Sequence, residues 1–140
     1  MDSPNTKAVK EAFRAFTEDG MEAGVESLLS FAHEDCCFRP YSAEGRVLHG
    51  ADEVRTHFRE AASSGTGIRV RPVRFEETGS DEVTVTGSVR VVRPSGGFAE
   101  TQVCWIYRFR DELLEEATWV PRKGEARAAP VPVGPGGQAH

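Results

Sequence analysis

The run Phe98–Arg110, FAETQVCWIYRFR, constrains this chain more than any other stretch. In an extended strand Val103, Trp105, Tyr107 and Phe109 share one face, and Gln102, Cys104, Ile106 and Arg108 share the other. Burying that many large rings on one side requires a sheet with something laid over it. Strand-like runs lie on both sides. In Glu82–Arg93, Val83, Val85, Val89 and Val91 alternate with Thr84, Thr86, Ser88 and Arg90. Leu113–Val120 follows the short Asp111–Glu112 turn, and Pro94–Gly97 is a strong turn. Gly87 falls on the apolar face, where it marks a bulge or a bend. Ile68–Thr78 reads as a further strand, weakened by Pro72 and ended by Gly79-Ser80-Asp81.

Upstream the apolar period is helical. Ser3 and Pro4 cap and open a first helix whose stripe is Val9, Ala12, Phe13 and Phe16, broken by Gly20. A second carries Met21, Val25, Leu28, Leu29 and Ala32 and ends before His33. Cys36–Tyr41 is a short strand broken by Pro40, expected at an edge or a bend. Gly50 precedes a third helix, with Asp52 and Glu53 in its first turn and Val54, Phe58, Ala61 and Ala62 as its apolar positions. Together these predict an α+β domain over residues 1–121, with three N-terminal helices covering a sheet. After it, half of the chain's eight prolines and four glycines crowd the last twenty residues, so 122–140 reads as a disordered tail.

Composition narrows the function. A net charge of −5 argues against non-specific nucleic-acid binding, and Arg69, Arg71 and Arg74 read as a solvated strand face. No apolar run approaches the roughly 20 residues of a membrane span, and the N-terminus lacks a signal-peptide core. Cys36, Cys37 and Cys104 form neither a disulfide framework nor zinc-ligand spacing, which fits a reducing cytoplasm. No cofactor or metal is expected.

The order of elements resembles the nuclear transport factor 2-like superfamily, whose fold is a cone (cystatin-like) and which includes ketosteroid isomerases and SnoaL-like polyketide cyclases. The resemblance runs from Val9 to Val120. It is carried by AFRAFTEDGMEAGVESLLSFAHED, by CCFRPYSAEGRVLHG leading into ADEVRTHF, and by WIYRFRDELLEEATWV. It implies a curved antiparallel sheet wrapped around the helices, an apolar pocket open at one end, and dimers formed through the outer sheet face. Where isomerases of the group carry a carboxylate base, a tyrosine and an acid, matching the segments places Arg39, Phe13 and Trp105. Steroid-type isomerisation is therefore not expected. The water-activating Arg/Asp/Asp set of limonene epoxide hydrolases is not recognisable either.

Within that frame His57 and Tyr107 are the catalytic candidates, and Phe13, Arg39, Trp105 and Trp119 the ligand-binding ones. His57 is the titratable residue expected on the inward side of the third helix, where desolvation would favour the neutral base; its alternative is a half-solvated helix position. Arg39 enters the pocket if Cys37 and Tyr41 face inward, and lies on the surface if Cys36 and Phe38 do. Trp105, Tyr107 and Trp119 are core, or walls for a ligand if they reach the open end. Two functions are in play: a pocket for a small, largely apolar organic molecule, or a dimeric interaction module without a working pocket. Ile106, apolar on the face opposite Trp105, predicts a homodimer through the outer sheet face.

Overall fold

The computed structural model describes residues 2–40 and 45–121, so Tyr41 and the 122–140 tail lie outside the described residues. Helix α1 spans Pro4–Asp19 and α2 Met21–Leu29; strand β1 (Ala32–Arg39), the short β2 (Leu48–His49) and α3 (Gly50–Ser63) follow. Four long strands complete the domain: β3 (Gly67–Gly79), β4 (Glu82–Val92), β5 (Phe98–Arg110) and β6 (Leu113–Pro121). The sheet runs β2-β1-β6-β5-β4-β3. It is antiparallel except where β1 lies parallel to β6, which makes it mixed. With three helices on one side, this is the expected α+β cone.

Local chemistry accounts for the element ends. Ser3 caps α1, its hydroxyl accepting from the Thr6 N–H, and Pro4 occupies the first turn. The Asp111–Glu112 hairpin loop has φ of 54° and 66°, both left-handed, as a two-residue type I′ turn requires. Pro72 lies in β3, the sheet's edge strand, next to a bulge between Pro72 and Arg74. Two boundaries differ from the sequence reading. Helix α2 stops at Leu29, and Ala32 instead pairs with Leu114 of β6, because a partner strand reaches it. Strand β1 begins at Ala32, not Cys36; it ends before Pro40 as expected, and the two-residue β2 pairs with it only at Cys37 and Phe38.

The inner face of the sheet and the helices share one core. Val103, Trp105, Tyr107 and Phe109 are all buried, while Cys104 and Ile106 on the outer face are half-buried and Arg108 is exposed. Gly24 lets α2 approach α1 closely, since a Cβ there would sit 2.5 Å from the Phe16 side chain.

The start of α1 is tied to β3 by Glu77, whose carboxylate accepts from the Ser3 N–H at 2.9 Å and the Thr6 hydroxyl at 2.7 Å. Hydrogen bonding from the Ser3 side chain, then Thr6, then the Ser3 backbone pushes its pKa down from 4.5 to about 2. A depressed carboxylate pKa stabilises the fold above the unfolded value, and that stability is lost as pH falls through the folded one. Acid titration should therefore show a stability loss between pH 4.5 and about 2 in the wild type that is smaller in Glu77→Gln. Equal losses in the two proteins would mean that this contact contributes nothing.

Candidate functional site

Between α1, α2 and the inner sheet face lies a narrow apolar cavity of about 20 Å³. That is room for about one water molecule and not for an organic ligand in this conformation. Phe13, Phe16, Phe38, Phe58, Tyr107 and Trp119 are its aromatic walls, and Ala12, Gly24, Val25, Leu28 and Val70 close it. The rings pack mostly edge to face. Phe13 meets Trp105 at 4.9 Å and Tyr107 at 6.1 Å, and Trp119 meets Trp105 at 5.8 Å and Phe38 at 6.0 Å between centroids.

Two surface grooves share walls with the cavity. One, of about 360 Å³ between α2 and α3, shares Val25 and Phe58 with it. The other, of about 700 Å³ between the α1–α2 turn and β3, shares Phe16 and Val70. Shared side chains, two per groove, therefore lie between the interior and both grooves. The first groove is spanned by an ion pair, Arg55 Nε to Glu26 at 2.7 Å, joining α3 to α2.

The polar groups in this aromatic cluster are unusual because they lack partners. The indole N–H groups of Trp105 and Trp119 and the Nε2 of His57 are buried without a hydrogen bond among the described residues. Buried donors are nearly always satisfied, so each unmade bond is costly. The Trp119 N–H faces the Tyr107 hydroxyl closely enough to favour the phenolate slightly, but without hydrogen-bond geometry. Burial dominates at Tyr107 and pushes its pKa far up, so the phenol stays protonated.

Of the residues expected at a pocket, the structure gathers Phe13, Tyr107 and Trp119 on the cavity wall. Trp105 is fully buried behind them and does not line it. His57 is half-buried and does not line it either; its ring stands edge-on to Phe58 at 5.1 Å. Burial first, then the Arg46 charge, lowers its pKa, against an opposing pull from Glu60, so it is neutral at pH 7. Arg39 is corrected to the outer face. Cys36 and Phe38 are the buried residues of β1, so alternation turns Arg39 outward, where it forms an ion pair with Glu116. Glu116 also takes Arg108 at 3.2 Å. Phe38, Phe58 and the α2 residues Val25 and Leu28 complete the wall, whereas spacing along the chain marks them only as apolar-stripe positions or, for Phe38, as one of two phases. Among the described residues, no group of three metal-ligating side chains is gathered.

A family model described as a SnoaL-like domain matches residues 9–117. No curated protein sequence matches. Solved structures share the fold at low identity. TerC, co-crystallised with polyporic acid, is 22% identical with a TM-score of 0.71, over 86% of this chain and 92% of that one. An NTF2-like protein of unknown function from Burkholderia pseudomallei is 23% identical with a TM-score of 0.72, over the same shares. A Mycobacterium tuberculosis protein in complex with estradiol-17beta-hemisuccinate is 15% identical with a TM-score of 0.67, over 84% of this chain and 93% of that one.

Proposed function

Because this chain belongs to the SnoaL-like domain family, we propose that it binds a small, largely apolar organic molecule bearing one hydrogen-bond acceptor inside the cone. The observation that carries this reading is the buried, unpartnered N–H of Trp119, a residue of the apolar cavity's wall, near a protonated Tyr107 hydroxyl. An acceptor oxygen placed there would satisfy a donor that the folded chain leaves bare, while the ring or chain carrying it would lie against Phe13, Phe38 and Phe58. Entry would come from the grooves that share Phe58 and Phe16 with the cavity, by displacing those side chains. TerC and the M. tuberculosis protein, both with this fold, were crystallised with organic ligands. The reading is binding, with the Trp119 N–H as donor. Catalysis would require a ligand large enough to reach His57 as well. We place the protein in the cytoplasm, where its three free cysteines stay reduced.

The test uses two molecules of one shape, fluorene and fluorenone, titrated calorimetrically. Fluorenone should bind more tightly by about 5- to 30-fold, the worth of one hydrogen bond to a bare buried donor. Trp119→Phe should abolish that preference and leave fluorene binding nearly unchanged. If neither compound binds, the pocket reading fails.

A second reading, a dimeric interaction module, is favoured by the smallness of the cavity and by half-buried Cys104, Ile106 and Val120 on the outer face. Ile106 lies between Thr84 and Thr118 at the middle of that face, so a second copy seated there would cover it. Ile106→Glu should then shift a dimer toward monomer in sedimentation velocity. A wild type that is monomeric at micromolar concentration would remove this reading.

A further inference from the structure

Away from the cavity, the outer face of the β3–β4 end carries a concentration of positive charge. The ladder places Arg69 opposite Arg90 and Arg71 opposite Ser88, with Glu100 opposite Arg90 on β5. These five residues share a groove of about 250 Å³. Arg90 is held by Glu100 at 2.9 Å and lies over the Phe98 ring at 4.4 Å. Among the described residues, no carboxylate lies within ion-pair distance of Arg69 or Arg71. Three guanidiniums thus face one carboxylate, in a chain whose net charge is −5.

Like charges directly opposite each other on a sheet are destabilising, so two arginines on one rung beside a third on the next, with a single carboxylate among them, leave positive charge that an anion would offset. Ser88 adds a hydroxyl to the same groove and is only 7% exposed, which places it at the floor. Neighbouring rungs on one face are roughly 7 Å apart and opposed side chains about 5 Å apart, which brackets a single oxyanion. A guanidinium fork matches the oxygens of such an anion in two-point contact, and a phosphate or sulfate offers further oxygens to donors on the neighbouring rung.

We propose that the groove of Arg69, Arg71, Ser88 and Arg90 is a binding site for a phosphate- or sulfate-type oxyanion, free or as the headgroup of a larger molecule. It lies on the outer face and does not depend on the cavity having a ligand.

The experiment titrates the full chain with inorganic phosphate and with sulfate at ionic strength held constant by sodium chloride, reading backbone amide shifts. Saturable shifts at Arg69–Arg71 and Ser88–Arg90 are expected. Arg69→Gln and Arg71→Gln should each weaken binding about tenfold or more, the usual worth of a hydrogen bond to a charged group. Arg108→Gln, an outer-face arginine already paired with Glu116, should leave it unchanged. Shifts that sodium chloride alone reproduces, or that survive in both groove variants, overturn the proposal. A second arm separates the sources. Co-sedimentation with phosphatidic acid vesicles but not phosphatidylcholine vesicles identifies a headgroup, and phosphate binding without co-sedimentation identifies the free anion.

Discussion

Gly87→Ala should destabilise the domain by about 3 kcal/mol or more, beyond the usual range for overpacking, because what the new methyl meets is backbone. A Cβ at this position would lie 2.1 Å from the Arg71 carbonyl oxygen and 2.9 Å from the Pro72 Cα. Side chains rotate out of such a clash; a paired strand does not. Strand β4 would have to move away from β3 across the Pro72↔Gly87 rung, breaking ladder bonds on either side. The expected reading is a urea midpoint far below wild type, with the melting temperature down by roughly 10 °C or more. Gly67→Ala is the control. Its Cβ would meet only the Val92 Cβ at 3.6 Å, an ordinary contact, so it should change little. A Gly87→Ala protein within about 1 kcal/mol of wild type would show that the bulge beside Pro72 absorbs the methyl, against this account.

Trp105 gives the second large effect, and its two replacements should behave differently. The side chain is fully buried between Phe13 and Trp119, so Trp105→Ala removes its packing and leaves a void, costing about 3–5 kcal/mol. Trp105→Phe keeps most of the ring volume and deletes an N–H that has no hydrogen bond in the folded state. Removing an unsatisfied buried donor offsets part of the lost packing, so Phe should cost well under half as much as Ala. Denaturant unfolding of both variants measures the contrast. If Phe proves as damaging as Ala, the indole N–H has a partner after all, for which the Trp119 ring face, 89° to it at 5.8 Å, is the candidate.

Some of this was written in the chain itself. Alternation along β5 identified the buried face through Val103, Trp105, Tyr107 and Phe109, because a pleated strand offers its side chains only two directions. The α1 cap at Ser3–Pro4 and the tight Asp111–Glu112 turn were legible for a similar reason: each depends on residues a few positions apart. Gly87 marked the place of an irregularity, although the bulge itself lies in the facing strand.

Arg39 shows where local information ended. In β1 either phase of alternation was chemically acceptable, Cys36 with Phe38 or Cys37 with Arg39. The choice fell to a strand some eighty residues away in sequence, since parallel pairing of Phe38 with Ala117 places both on the core side and leaves Arg39 to Glu116. His57 is a parallel case. Helical spacing placed it near the inward stripe, but the angle at which α3 meets the sheet put Phe58, and not His57, on the cavity wall. The turns joining β4, β5 and β6, the buried face of β5 and the ends of α1 were thus determined by the sequence alone, through contacts between near neighbours. The facing of Arg39, the position of His57, the bare indole donors and the size of the cavity were decided only in the tertiary structure, because each depends on how distant elements approach one another, and no local pattern specifies that distance or angle.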